Sequence, residues 1–503
     1  MRRRDLLKSS AATGVGLALR SSLRAEPRGS NAQSCSVPFP ESAGLTKYVA
    51  EFVRRTQYSD IPSDVVELGK KSLLDGIGLA LAGSKLPTYE ILRRYFSGSF
   101  SSRGATVIGA SGKLPARFAA LVNGVAIHVE DFDDTQLAVA KDRVYGLLTH
   151  PTVPVLPATL AVSEAGSTSG REWMLAYHLG VEVETKIAEA ISPRHYEDGF
   201  HSTGTCGVFG STAGCAKLRS FDTEKIERAF SIAASQASGL RENFGTMMKP
   251  FHAGRAAEVG VVSVDLADLG WSGAPAILEA PRGFFHAYGG TYDPDAILNK
   301  LGNPWTFRSP GASIKPFPSG SLTHPGMTEM LRLLRSEGIK SANVEQVEVG
   351  TNHNLPNALI HHHPHNALEA KFSMEFCMAI LLLDGKAGLS QFSDAVVNRP
   401  DVQEMMSRIR FYVDPEAEAT GFDKMTTIIQ VHLKDGRTVH GRADFGKGSP
   451  ANPMSYEEVA EKFYGCAEFA EWPPGKAKQI VGLIENFESE PDLRRLVALC
   501  TRN

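Results

Sequence analysis

Three short stretches of the chain concentrate side chains that can move protons or stabilise negative charge. Residues 199–210 read G-F-H-S-T-G-T-C-G-V-F-G and set His201 in front of a glycine-rich run. Residues 249–257 read K-P-F-H-A-G-R-A-A and bring Lys249, His252 and Arg255 into one short turn and helix start. D-F-D-D-T at 131–135 adds three carboxylates and a hydroxyl. Imidazole exchanges protons near neutral pH, and fixed ammonium groups favour charge that develops in a transition state. These residue types suit proton transfer at a centre where negative charge develops.

Each stretch also has plainer readings. Pro115 can open a helix whose apolar stripe is Phe118, Leu121, Val122, Val125, Val129 and Phe132. If that helix continues, His128, Asp131 and Thr135 share its other face. Asp131, Asp133 and Asp134 could alternatively hold a magnesium ion, or form a solvated acidic helix end. Glycines at 204, 207, 210 and 214 make a smooth face for close packing, or leave backbone N–H groups to meet a carboxylate. Lys249 precedes Pro250 and is predicted to be extended. Cys206 has no partner base in the sequence and is a poor nucleophile candidate. The tract His361-His362-His363-Pro364-His365 is predicted to be a surface loop, because adjacent histidines cannot all turn toward one ion.

The elements that must position these groups fall into two kinds. At 503 residues the chain exceeds the size of a single core, so two domains are expected. Val66, Leu73, Ile77 and Leu81 recur at helical spacing, with Ser63 available as an N-cap, and the pattern continues at 173–191, 223–239 and 256–269. Strand signals then enter. Val347 and Val349 alternate with polar residues, 409–413 is β-prone, and 426–433 meets 437–442 across Lys434-Asp435-Gly436, a hairpin signal. Helical runs at 326–336 and 375–383 lie between them. After Pro453, Ser455 and Glu458 form a capping-box pattern. The fold class is therefore mainly α with an α+β portion: a helical domain at 42–309, an α+β domain at 310–452, and C-terminal helices at 453–503 that pack back on the first domain.

In its three motifs the sequence resembles the MmgE/PrpD family, which includes 2-methylcitrate dehydratase, cis-aconitate decarboxylase and iminodisuccinate epimerase. The resemblance covers nearly all of the chain after about Glu41. It implies a large helical domain built from both chain ends, with a smaller α+β lid, in a homodimer. It also implies that Asp131 and Thr135 line a pocket without a metal, that His150 and His201 are the acid–base pair, and that Lys249 and Lys315 are cations from the two domains. Two lysines facing one cleft would favour polycarboxylates. His252 and Arg255 accompany Lys249 as candidate substrate contacts. Gly320 stands where the decarboxylase branch has a histidine, with His324 nearby, and Phe376 where it has a tyrosine. The expected activity is a lyase without an organic cofactor, hydro-lyase first, with an epimerase or a decarboxylase as alternatives. A non-catalytic exported polycarboxylate-binding protein is the rival from another class.

The first residues, Arg3-Arg4-Asp5-Leu6-Leu7-Lys8 before a short apolar run, resemble a twin-arginine export signal. The signal is placed at 1–25, with a polar linker at 26–41, and the expected location is periplasmic or exported. The apolar run is too short to span a bilayer. A net charge of -3 spread along the chain gives no footprint for nucleic acid. Six dispersed cysteines without a C-x-x-C pair suggest buried thiols rather than a metal ribbon.

Overall fold

A computed structural model describes residues 44–137, 147–191, 194–421 and 424–502. The segment expected to be an export signal, the expected linker, Cys35 and Lys141-Asp142-Arg143 lie outside the described residues. The fold is mainly helical, with an α+β portion in the second half. Among the described residues no helix is long and apolar enough to cross a membrane.

The helix Ser63–Gly83 starts at the expected serine, although Pro62 occupies the N-cap position and Ser63 is the first helical residue. Its Leu73 and Ile77 share a core with Val459 and Phe463 of the helix Tyr456–Phe469 and with Ile480 and Leu496 further on. The segments after Pro453 thus complete the hydrophobic surface of helices near the chain's start. Ser455 accepts from the Glu458 amide while Glu458 accepts from the Ser455 amide, so the capping box forms as the sequence reads.

Between Val344 and Ala443 four strands make one mixed sheet in the order Ile409–Val413, Val344–Thr351, Thr427–Leu433, Thr438–Ala443. The first pair is parallel and the others antiparallel, with Val349 opposite Ile429 and Val431 opposite Val439. Lys434-Asp435-Gly436 turns the hairpin, with Gly436 at φ 88°. Met330 and Leu333 from His324–Ser336 and Phe376 and Ile380 from Met374–Asp384 join the sheet's apolar residues in a core of its own.

The helix Ala116–His128 is held where helices approach to backbone distance. A Cβ on Gly83 would lie 2.0 Å from the Ala126 carbonyl oxygen, and one on Gly124 would lie 2.7 Å from Gly254 Cα. Gly254 belongs to the helix Met248–Asp268, and a Cβ there would meet the Leu121 carbonyl oxygen at 2.5 Å. The first helix delivers His128 at its end, and the second delivers Lys249 at its start. Their spacing is therefore set by two glycines. The glycines of 204–214 are used the same way: Gly204 faces Ser238, Gly207 faces Pro154, Gly210 faces Glu184 and Gly214 faces Thr159.

Gly254→Ala should force the two helices apart and cost about 1–3 kcal/mol of stability through overpacking. Activity should fall by more than the lost folded fraction explains, because His128 and Lys249 separate. Denaturant unfolding alongside turnover checks this, and an unchanged unfolding midpoint would contradict it.

Candidate active site

The helix that Pro115 opens stops at His128 rather than running on to Thr135. Asp131 then takes the left-handed conformation (φ 51°), which Asp tolerates better than most residues. The reversal spreads the carboxylates apart. Asp131 and Asp133 turn into the site, whereas the Asp134 side chain accepts from the Thr152 amide (3.2 Å) and hydroxyl (2.6 Å). The solvated-acid reading does not survive, since Asp133 and Asp134 are buried, and the three carboxylates do not converge, since Asp134 is turned to Thr152.

Two ammonium groups meet at Asp131. Lys249 Nζ donates to its Oδ1 at 2.7 Å. Lys315 Nζ donates to the Asp131 carbonyl at 2.7 Å and to the same Oδ1 at 3.2 Å. Burial alone would raise the Asp131 carboxyl, but Lys249 and Lys315 hold it well below the usual range. Burial pushes the Lys315 ammonium down, while Asp131 opposes that fall. Lys249 also lies 5.3 Å from the centre of the Phe244 ring. It sits in the first turn of its helix rather than in an extended segment. First-turn N–H groups have no intrahelical acceptor, so Pro250 breaks no hydrogen bond there.

Beside this cation pair stand four imidazoles. His128 Nδ1 lies 2.9 Å from both Asp133 oxygens. His150 Nδ1 lies 3.3 Å from Asp133 Oδ2 and 3.1 Å from the Asp134 carbonyl. The His128 ring meets His150 edge-on at 4.4 Å and stacks near His201 at 5.8 Å. His201 precedes the Ser202–Thr205 turn and puts its Nδ1 3.3 Å from Nδ1 of His252. Burial lowers the pKa of all four, His128 to about 4 and His201 well below its ordinary value. Among the described residues, Nε2 of His128, His150 and His201 and the hydroxyl of Thr135 have no hydrogen-bond partner.

Of the residues singled out in the sequence, Asp131, His150, His201, Lys249, Lys315 and His252 come together. Thr135 is tied in through a backbone bridge to Ser313, two residues before Lys315. His324 is buried against the Phe317 ring, its Nε2 without a partner among the described residues, and burial followed by Lys315 lowers its pKa to about 3. Arg255 instead pairs with Glu258 at 2.6 Å and donates to Gln236 at 3.2 Å. His128 and Asp133 complete the cluster without having been assigned a role. The turn after His128 is what brings them there.

Ligand atoms of His128, Asp131, Asp133 and His150 lie within 4.8 Å of one another, a spacing that could suit a metal. Asp131 already faces two ammonium groups, however, and Asp133 two imidazole nitrogens. The ammonium groups balance the charge of Asp131, and the Nδ1 atoms of His128 and His150 give Asp133 hydrogen-bond donors. Cys206 is buried, its thiol pushed up by burial, and Cys215, Cys377, Cys466 and Cys500 are likewise buried and unpaired. In the histidine tract, His362 is half exposed and pairs with Glu375 at 2.7 Å. A separate cleft of about 1220 Å³ is lined by Phe132, Phe317, Arg332, Arg442 and Lys447, among others, and by none of these histidines.

Residues 47–296 match the MmgE/PrpD N-terminal domain, and residues 317–483 match the MmgE/PrpD C-terminal domain. The chain belongs to the MmgE/PrpD family. Cis-aconitate decarboxylase of Homo sapiens is 28% identical over 477 residues, covering 90% of this chain and 94% of the relative. Cis-aconitate decarboxylase of Aspergillus terreus is 27% identical, covering 91% and 96%. 2-Methylcitrate dehydratase of Salmonella typhimurium is 24% identical, covering 72% and 77%.

The buried Asp134 gives a pH test of this family site. Burial pushes its carboxyl up to about 7, Thr152 opposes the rise, and Asp133 and Asp75 add to it. An unfolded Asp titrates near ~3.9, so the folded form binds the proton more tightly. This contribution to stability is full below pH ~4 and is lost as pH rises through about 7. Asp134→Asn, which cannot ionise, should therefore gain in melting temperature relative to the wild type between about pH 5 and pH 8. A difference that stays constant across that range would contradict the assignment.

Proposed function

We propose that the protein is a lyase acting at the carbon beside a carboxylate of a small di- or tricarboxylic acid. The observation that carries this reading is the convergence of Lys249 and Lys315 on Asp131, next to imidazoles kept neutral by burial. Ammonium groups removed from bulk water favour an anionic ligand and act more strongly on charge than they would in water. A neutral imidazole can take a proton from carbon. The carbanion-like state that follows places charge on the adjacent carboxylate, where the two ammonium groups stabilise it.

Dehydration of a β-hydroxy acid is the reaction we favour. His150 or His201 removes the proton, the electron pair forms the C=C bond, and the C–O bond breaks. The departing hydroxide takes a proton from the imidazolium and leaves as water. Thr135 binds a substrate oxygen, Asp131 holds the two lysines beside the imidazoles, and His252 supports His201. The positions that depart from the decarboxylase branch support dehydration. Gly320 offers no side chain and backs onto the Phe372 ring, and Phe376 is buried against Phe392. Decarboxylation is the second reading, supported by relatives of that name along nine-tenths of the chain.

Mass spectrometry of products from a panel of hydroxy- and unsaturated polycarboxylates separates the two. Loss of water supports the first and loss of carbon dioxide the second. Exchange with inversion in deuterated water would mean an epimerase, and tight binding without turnover or exchange a binding protein. On the active substrate, Lys249→Met should cost about a hundred- to a thousandfold in rate while circular dichroism is unchanged. His201→Ala should lose most activity, and His362→Ala should lose little. The reverse pattern would place the active site elsewhere.

The same reading includes export in a folded state, supported by the Arg3-Arg4 motif, and a homodimer, supported by the family resemblance and the small-residue faces of the helical half. Arg3→Lys with Arg4→Lys should retain the protein in the cytoplasm, and light scattering of purified protein should report a dimer. Export of the double variant, or a monomer at micromolar concentration, would overturn the corresponding part.

A further inference from the structure

Asp133 touches two imidazoles at once, and its chemistry decides how both are protonated. Burial alone would raise its carboxyl, but His128 and His150 hold it well below the usual range, so it is an anion and can only accept. His128 Nδ1 faces both of its oxygens at 2.9 Å. His150 Nδ1 faces one of them at 3.3 Å and the Asp134 carbonyl at 3.1 Å. All of these neighbours are acceptors, so both Nδ1 atoms must carry the hydrogen. In a neutral imidazole the other nitrogen then holds the lone pair. Neither Nε2 has a hydrogen-bond partner among the described residues, although both side chains are buried.

The remaining contacts agree with that assignment. His150 Nε2 stands 3.8 Å from Asp131 Oδ1, beyond hydrogen-bond reach, as expected of an atom with no proton to donate. Asp131 Oδ1 is already occupied by Lys249 and Lys315. The two rings meet edge to face at 4.4 Å and 74°, so both imidazoles belong to one cluster. Asp131 faces the lysines and Asp133 faces the imidazoles, so the two carboxylates divide the site between them.

We infer that Asp133 is a positioning residue that fixes His128 and His150 as a pair of Nδ1–H imidazoles with both Nε2 lone pairs directed at the substrate, and that His128 is a second catalytic base of this site. The inference rests on the lyase reading above. In the step it describes, one Nε2 takes the proton from carbon and becomes an imidazolium. Asp133 stabilises that cation through the Nδ1–H it already holds. The proton then passes to the leaving hydroxide and the imidazole returns to its starting form. With two such nitrogens, the proton can be taken and returned on adjacent positions.

Three measurements test the pair. Neutron diffraction from deuterated crystals of the full chain should show deuterium on Nδ1 of His128 and His150 and none on Nε2. Deuterium on either Nε2 would overturn the proposal. His128→Asn keeps an amide nitrogen where Nδ1 meets Asp133 but removes Nε2. It should hold the wild-type melting temperature, lower kcat by about a hundredfold or more, in the range of general acid–base catalysis, and leave KM within about threefold. Wild-type kcat in this variant would overturn the role of His128. Asp133→Asn removes the anion that favours imidazolium, so the acid limb of its residual kcat profile should move to lower pH, a shift that a purely structural role would not produce. An unmoved limb would overturn the role of Asp133. Absence of any polycarboxylate turnover in the wild type would count against the lyase reading alone, and the deuterium positions would still uphold or overturn the imidazole pair.

Discussion

A buried and a partly buried ammonium group share one carboxylate oxygen, and the site depends on that contact. Lys249 comes from the helical half, and Lys315 from the strand-bridged segment leading into the α+β half. Like charges this close repel strongly where water is scarce. Asp131 makes the arrangement tenable, and its left-handed backbone lets both its carboxylate and its carbonyl face Lys315. One residue earlier, Glu130 receives Lys371 at both its carbonyl (2.6 Å) and its carboxylate (2.5 Å). Two consecutive residues of one turn thus anchor two lysines from the second half of the chain. The same contacts that neutralise the cations fix how the α+β portion sits against the turn at 130–131.

Such a turn is only useful if the helices carrying it cannot slide. The glycine contacts at 83, 124 and 254 replace side-chain packing with backbone contact, which leaves little room for adjustment. That rigidity carries a cost in helix propensity at each glycine. It is offset by the precision with which His128 and Lys249 are delivered, from two helices whose closest approach is fixed near their middles. Burial then acts on the imidazoles. It removes the water that would stabilise their charged forms, so they rest in the neutral form.

Much of the scaffold is legible in the sequence because its signals are local. The Asp435-Gly436 hairpin, the Ser455–Glu458 box and the helical runs depend on residues a few positions apart. The site depends on distant ones. His201 and His252 are separated by fifty-one positions and meet at 3.3 Å. The pattern through 115–135 reads as one helix, yet the chain turns at Asp131, and this hides the roles of His128 and Asp133. Lys249 reads as extended because a proline follows it, but the rule that disfavours helix before proline is weakest in a first turn. Arg255 stands in a basic motif, and helical spacing alone could have warned that Glu258, three residues on, shares its face.

The residues that would make one reaction rather than another lie apart from those that would make any reaction of this kind possible. The turn at 131–135, the paired lysines and the imidazoles form a self-consistent set whose charges and hydrogen bonds close on one another. Gly320 and Phe376 belong to the α+β portion and contribute no polar atom beyond the backbone, the first resting on Phe372 and the second inside that portion's own core. A histidine or a tyrosine at those positions would need a partner or a substrate oxygen to avoid an unpaired buried polar group. Their apolar character here removes that demand. In the reaction we propose, proton transfer at carbon therefore rests on the helical half and its lysine partners, which need no side chain from positions 320 or 376.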